Sequence, residues 1–306
     1  TGAALATEPP VWFITGCSTG FGLELARQAI AKGFRTVVTA RNPAGLQSLE
    51  VHDNVLVLRL DVTQPFCVAA AVAVAEQRFG HIDVLVNNAG VGYFAAIEEG
   101  ESDAVRDMFD VNVFGLSAMV QAVLPGMRRR RQGCIVNISS LGGLRSFPAL
   151  GYYNATKFAV EGLSEALWQE VEPLGLKVMV VEPSGFRTDW AGRSAHESEQ
   201  QIDDYVASAG AVRLQLRAKS GHQPGDPVRA AQAILAAVQS GHPPHHLLLG
   251  VDAFEGALAK VDALRKDILA AERVARGADF PAPEPQATRA AAPLARQATG
   301  QQAVSV

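Results

Sequence analysis

Over most of the chain, apolar positions fall into short continuous runs separated by stretches of helical period. Residues 11–15, Val-Trp-Phe-Ile-Thr, are apolar or β-branched and stop at Gly16, which predicts a buried strand. Residues 21–32 place Leu25, Ala29 and Ile30 on one face and end at Gly33, the pattern of a helix with a terminal glycine. The alternation then repeats. Strands are predicted at 36–40, 55–60, 82–86, 134–138, 178–181 and 247–249. Helices are predicted at 68–79, 101–131, 153–172 and 227–239, with a weak one after Arg41-Asn42-Pro43. Strands alternating with helices of this length build right-handed βαβ units, hence a parallel sheet with helices on both faces. The expected fold is therefore a single α/β domain, doubly wound, of about seven strands.

Two regions break the rhythm. Residues 187–225 are long, polar and spotted with glycine, with a helix expected around 202–216, and read as a lid-like insertion after the sixth strand. Residues 278–306 are rich in Pro, Ala and Gln without a period and read as a flexible tail. Residues 1–10 read as a loose lead-in, leaving 11–277 as the folded domain.

Composition narrows the function. Of 306 residues, 48% are hydrophobic and 19% charged, with a net charge of −4. No broad basic field exists for nucleic acid or anionic lipid, so neither is an expected partner. No run approaches the ~20 uninterrupted apolar residues of a membrane helix. The N-terminus lacks the basic region of a signal peptide, and three cysteines, Cys17, Cys67 and Cys134, are too few and too scattered for a disulfide framework. A reducing, cytoplasmic location is expected. Arg128 to Arg131 read as a solvated helix end. His242, His245 and His246 lack an acidic or cysteine companion at metal-site spacing, so no metal is expected. Cys17 reads as a small buried side chain.

Candidate chemistry begins at Thr15-Gly16-Cys17-Ser18-Thr19-Gly20-Phe21-Gly22, between the first strand and the first helix. A dinucleotide site demands this context, with backbone close to a pyrophosphate and a helix N-terminus aimed at it. The spacing T-G-x-x-x-G-x-G resembles that of the short-chain dehydrogenase/reductase family, and further motifs extend the resemblance over about residues 11–251. Asn87-Asn88-Ala89-Gly90 is similar to the family's N-N-A-G segment after the fourth strand, with Asn88, Ala89 and Gly90 close to the cofactor. Asp61-Val62 resembles its adenine-contacting segment, although Asp61 also reads as a turn residue before Thr63 and Pro65. Pro183-Ser184-Gly185-Phe186-Arg187-Thr188 resembles its P-G-x-x-x-T segment, with Ser184 in place of the usual glycine. The resemblance implies a Rossmann-type fold binding a nicotinamide dinucleotide through Gly16, Ser18, Thr19, Gly20, Phe21, Gly22, Pro183, Phe186 and Thr188. It also implies a homodimer or homotetramer built through the two long helices.

The second strand ends Thr39-Ala40-Arg41, without the acid that would bind a ribose 2′-hydroxyl. Arg41 can instead pair with a 2′-phosphate, so NADP(H) is the expected cofactor, with NAD the alternative; a surface arginine opening a loop is the plainer reading.

Tyr153 and Lys157, four apart on a helix, turn about 400° and share a face. A cation beside a phenol favours its ionised form, so the Tyr153 pKa is expected to fall toward neutrality. Such a phenol exchanges a proton with a carbonyl or alcohol oxygen. A surface i,i+4 pair is the alternative. Ser140, thirteen positions before Tyr153, matches the family's Ser-to-Tyr spacing, with Ser139 the neighbouring rival. Asn112 in Asp-Val-Asn-Val-Phe-Gly matches the family's helix asparagine, which holds a relay water near the lysine. The resemblance thus implies catalytic roles for Asn112, Ser140, Tyr153 and Lys157.

Tyr93, Leu141, Leu144, Phe147, Phe186 and Trp190 fall on loops that this fold gathers at one sheet edge. Their apolar character points to a hydrophobic ketone, aldehyde or alcohol, in the manner of the 17β-hydroxysteroid and retinol dehydrogenase branch. Two rival functions are a non-catalytic dinucleotide sensor and an NAD-dependent secondary-alcohol dehydrogenase. A nucleotide-sugar epimerase of the longer branch would need glycine at position 19, where Thr19 stands.

Overall fold

The computed structural model describes residues 8–50 and 52–281. Most of the expected lead-in and the expected tail beyond residue 281 lie outside the described residues. The chain runs β1 (Val11–Ile14), α1 (Gly20–Ala31), β2 (Arg35–Ala40), β3 (Val55–Arg59), α2 (Pro65–Phe79), β4 (Val84–Asn87) and β5 (Gly92–Phe94). It continues α3 (Ser102–Phe109), α4 (Leu116–Arg130), β6 (Cys134–Ile138), α5 (Gly151–Val171), β7 (Lys177–Pro183), β8 (Ala195–Glu197) and α6 (Ala211–Ala218). The last elements are α7 (Pro227–Gln239), β9 (His246–Leu249), α8 (Val251–Ala270) and α9 (Glu272–Arg276).

Seven strands form one parallel sheet in the order β3-β2-β1-β4-β6-β7-β9. Side chains alternate between its faces. In β1, Trp12 and Ile14 pack with Leu25 and Ala29 of α1 and Ile234 of α7, whereas Val11 and Phe13 pack with Val72 of α2, Met119 of α4 and Val160 of α5. Both faces are buried, which is why the strands read as continuous apolar runs. Winding proceeds from β1 to β3, then returns past β1 to β4. This reversal opens a crevice at the carboxyl ends of β1 and β4.

The structure revises several expected elements. The single helix expected at 101–131 is α3 and α4 joined by a π-helical turn, Asp110–Gly115. Its cap is Arg131 in the left-handed region, at φ 56°, two residues before Gly133. By length and averaged hydropathy, 1.3, the segment Ser102–Arg130 would suffice to cross a membrane. Met119, Val123 and Met127 spend that hydropathy on the sheet. The expected insertion contains β8, which pairs with β5 as a separate parallel ladder, and the helix α6.

Compact units divide between Asp262 and Ala263. The first carries the sheet and the cavity described below. Among its described residues, the second holds the end of α8 and α9.

Candidate active site

The glycine turn is shaped by its neighbours. Gly16 and Gly20 have φ of +68° and +61°, where side chains are strained. A Cβ on Gly16 would also sit 2.8 Å from Ala89 Cα, and one on Gly22 would strike Gly16 O and Asn88 Nδ2. Asn88 Nδ2 donates to Thr15 O and Gly16 O, at 3.1 and 2.9 Å. Thr15 Oγ1 accepts from the Asn88 and Ala89 amides, both at 3.0 Å. The Asn-Asn-Ala-Gly segment thus clamps the turn at the point where the sheet order reverses. Cys17 donates to Ile14 O, and burial pushes its thiol up to about 12, so it acts as packing. Thr19 precedes α1 without a side-chain cap, leaving the first-turn amides for a ligand.

These residues open onto a cavity of about 960 Å³. Its wall includes Gly16, Ser18, Thr19, Gly20, Phe21, Arg41, Asp61, Val62, Asn88, Ala89 and Gly90, then Pro183, Phe186 and Thr188. Arg41 is exposed and makes no ion pair among the described residues. Asp61 also accepts from the Thr63 amide and hydroxyl, as a turn residue does. Ser184 has no positive φ, so it replaces glycine without backbone strain; it packs on Gly250 and bonds through its amide to Leu249 O. A glycine floor and an uncapped helix start fit a nicotinamide dinucleotide.

The same cavity reaches Ser140, Leu141, Phe147, Tyr153, Lys157 and Trp190. Ser140 follows β6 and caps a short turn by accepting from the Gly142 amide at 3.0 Å. Its hydroxyl faces the Tyr153 phenol, whose ring lies 4.8 Å from that of Trp190. Lys157 Nζ donates to Ile138 O at 2.9 Å and lies 5.7 Å from the centre of the Tyr153 ring. Tyr152, on another face of α5, donates instead to Ile97 O.

The electrostatics correct one expectation. Burial pushes the Tyr153 phenol up to about 12, with the Ser140 hydrogen bond working against it. It does not fall, because the ammonium stands against the ring and is held by a carbonyl, not by the phenolic oxygen. Burial also lowers Lys157 to about 8, opposed by the Glu161 carboxylate one turn along α5.

Four expected site residues stand behind the cavity wall. Gly22 is pressed against Asn88. Asn112, in the π turn, exchanges hydrogen bonds with the backbone of Val91 at 2.9 Å and donates to Thr156 Oγ1. It reaches Lys157 only across Gly90, where a Cβ would touch both side chains. Tyr93 is buried and its hydroxyl accepts from the Glu101 amide, because β5 turns it into a satellite core. Leu144 packs with Leu141, Ala253 and Ala257.

Residues 10–199 match the family model described as short chain dehydrogenase. The chain belongs to the short-chain dehydrogenase family. It is an oxidoreductase, and its seven-stranded Rossmann-type fold is the family's. It is 37% identical to the 3-ketodihydrosphingosine reductase of Bacteroides thetaiotaomicron over 79% of this chain and 88% of that protein. A short-chain dehydrogenase from Streptomyces avermitilis superposes with a TM-score of 0.84 at 40% identity, over 89% of this chain and 100% of that one. A family member from Burkholderia phymatum, solved in complex with NAD, gives 0.75 at 25% identity, over 87% and 96%.

In this short-chain dehydrogenase the insertion at 187–225 covers the cavity with Trp190, Val212 and Leu216, and also with Arg193, His196 and Lys219. Two residues that hold it in place went unnoticed in the sequence. Arg217 bonds Glu197 Oε1 at 2.5 Å and the carbonyls of Ala191, Gly192 and Ala195 at 2.8–3.0 Å. Arg213 lies 3.5 Å from Glu99, both nearly fully buried. Burial raises the Glu99 pKa, but the Ile202 and Ala96 amides and Arg213 together hold it below the usual range. Their i,i+4 spacing on α6 was the available signal.

Proposed function

We propose that the protein is an NADP(H)-dependent carbonyl reductase acting on neutral, hydrophobic ketones or aldehydes. The carrying observation is one cavity that joins the glycine turn and Arg41 to Ser140, Tyr153 and Lys157. A nicotinamide dinucleotide bound there supplies or accepts the hydride. Ser18, Thr19 and the first turn of α1 hold its phosphates, Arg41 pairs the 2′-phosphate, and Pro183, Phe186 and Thr188 face the nicotinamide end. Ser140 orients the substrate oxygen, and Tyr153 donates the proton to it. Lys157 positions the ribose and places positive charge against the phenol. Asn112 braces the Val91 backbone beside Lys157.

A phenol that keeps its proton through neutral pH is in the form that donates the proton in reduction. Phe147, Leu141, Trp190 and Leu216 supply the apolar wall. The Bacteroides relative is named as a reductase of a ketone, which supports carbonyl reduction as the reaction class. Exposed Phe114, Phe158 and Leu163, on the two long helical segments, support assembly of two or four copies through those faces. A cytoplasmic site of action belongs to the same reading.

NADPH and NADH titrations followed by thermal shift, on wild type and Arg41→Asp, test it. NADPH is expected to bind wild type about 10- to 100-fold more tightly, the scale of one or two charge-assisted hydrogen bonds, and the swap to reverse the order. Tighter NADH binding by wild type would leave the NAD-dependent alcohol dehydrogenase as the better reading. Dinucleotide binding with no turnover across a broad carbonyl panel would favour a sensor.

A further inference from the structure

Three groups distant in sequence meet on the sheet beside α5. Glu161 lies on α5, one turn beyond Lys157. Glu182 lies near the end of β7, and His246 opens β9. His246 stands opposite Val180 in the ladder, so Glu182, two residues further on, projects to the same face. The His246 Nδ1 to Glu182 Oε1 distance is 2.6 Å, and Glu161 Oε2 lies 3.9 Å from the same nitrogen. One ligand atom from each of the three falls within 4.8 Å of the others. None of the three lines the active-site cavity.

The carboxylates are poorly satisfied. The Glu182 side chain is fully buried and its Oε2 has no hydrogen-bond partner among the described residues. Neither oxygen of Glu161 has one, although its side chain is only 12% exposed. Ser139 Oγ and the Leu247 backbone face the pair without completing hydrogen bonds. Three unpartnered carboxylate oxygens in an interior are costly unless something positive or a proton joins them.

We propose that Glu161, Glu182 and His246 form a binding site for one divalent cation of the zinc class. One imidazole nitrogen and two carboxylates give three protein ligands and leave a fourth position for water. Magnesium and calcium require six or more oxygens, which this site lacks, and an imidazole favours zinc or cobalt. A 2+ ion balances the two carboxylates in charge. His246 is 47% exposed and provides the way in from solvent. His245 is committed elsewhere: it bonds Glu172 and stacks on Trp168 at 4.2 Å.

The test uses full-length, chelator-treated protein without dinucleotide or substrate, so it is independent of the proposed reaction. Calorimetric titrations with Zn²⁺ and Mg²⁺ should give one Zn²⁺ per chain and no Mg²⁺ signal. Co²⁺ should give the visible absorption of a four-coordinate ion. His246→Asn, at a half-exposed position that tolerates the change, should weaken Zn²⁺ by roughly tenfold or more, and so should the isosteric Glu182→Gln. His245→Asn should bind as wild type does. The inference is overturned if wild type takes up no Zn²⁺, if binding survives both His246→Asn and Glu182→Gln, or if His245→Asn weakens it as much as His246→Asn. In the first case the two acids share the interior as protonated carboxyls.

Discussion

Tyr153 carries the chemistry of the proposed reaction, and its surroundings separate proton donation from fold. Its hydroxyl meets Ser140, while its ring packs on Trp190. Tyr153→Phe keeps the ring and removes the proton. Turnover should fall about 10²- to 10⁴-fold, the usual worth of a positioned acid. The thermal midpoint should stay within a few degrees, and near-normal turnover in a folded variant would exclude the assignment. The two shifted groups also set the pH dependence. Reduction needs the protonated phenol, which persists far above neutrality. The reductive kcat should therefore be level to about pH 7 and fall through about pH 8 as Lys157 loses its charge. Oxidation needs the phenolate and should rise with pH. A reductive profile already more than half lost at pH 7 would show a Tyr153 pKa lowered, not raised. Ser140, Tyr153 and Lys157 were named from spacing together with the family resemblance, and all three line one cavity. The direction of the Tyr153 shift was not, because it depends on where Lys157 Nζ points and how deeply the phenol is buried. Tyr93 and Leu144 failed as wall residues for a similar reason. An apolar residue on a loop near the site can turn inward as readily as toward the cavity, and these two turn into satellite cores.

At the level of elements, the strands and helices of the sheet were readable because each buries a stripe of the expected period. Within the insertion, the helix expected at 202–216 is the shorter α6, Ala211–Ala218. β5 and β8 are three residues each, too short to leave a pattern, and they pair across about a hundred residues of sequence. α8 escaped notice because Phe254, Leu258 and Val261 face solvent and only Ala253, Gly256 and Ala257 are buried, so it carries no core stripe. What holds the insertion over the cavity is polar. Arg217 satisfies three backbone carbonyls and Glu197 and lies 4.9 Å above the Phe94 ring. Arg217→Ala strands those carbonyls, at a cost on the order of 1–3 kcal/mol for each one left dry. Because the anchor touches neither Tyr153 nor the glycine turn, KM should rise several-fold more than kcat falls. Amide exchange at residues 191–197 should accelerate in the same variant. Unchanged KM and unchanged exchange would mean that α6 packing, not this arginine, holds the insertion.

For the whole molecule, the winding of the sheet was foreseeable because strand–helix alternation and handedness leave few alternatives. The long-range polar cluster was not, since nothing in the sequence links Glu161, Glu182 and His246. That cluster makes global stability depend on pH in a definite direction when the protein is free of metal. Burial raises Glu161 to about 7 and Glu182 to about 8, well above the ordinary 4.5. For groups raised in the folded state, the folded protein binds more protons than the unfolded chain between those values. Their favourable contribution is complete below about 4.5 and is lost as pH rises through 7 to 8. Glu99, held low, acts oppositely and protects the fold above its ordinary pKa, losing effect only as acid protonates it. Lys157, lowered from 10.5 to about 8, contributes the opposite slope from pH 8 upward, and above pH 9 the buried Cys17 and Cys134 thiols, raised to about 12, work against it. Urea midpoints measured in chelator should therefore decline from pH 5 to pH 8. Glu182→Gln, neutral at every pH, should flatten that decline and leave the arm below pH 4.5, set by Glu99, in place. Saturating Zn²⁺ should also flatten it for wild type, because the ion takes over from the protons. A wild-type curve that rises steadily from pH 5 to 8 in chelator would mean that the two acids are already ionised and satisfied in the fold, against the geometry of their unpartnered oxygens.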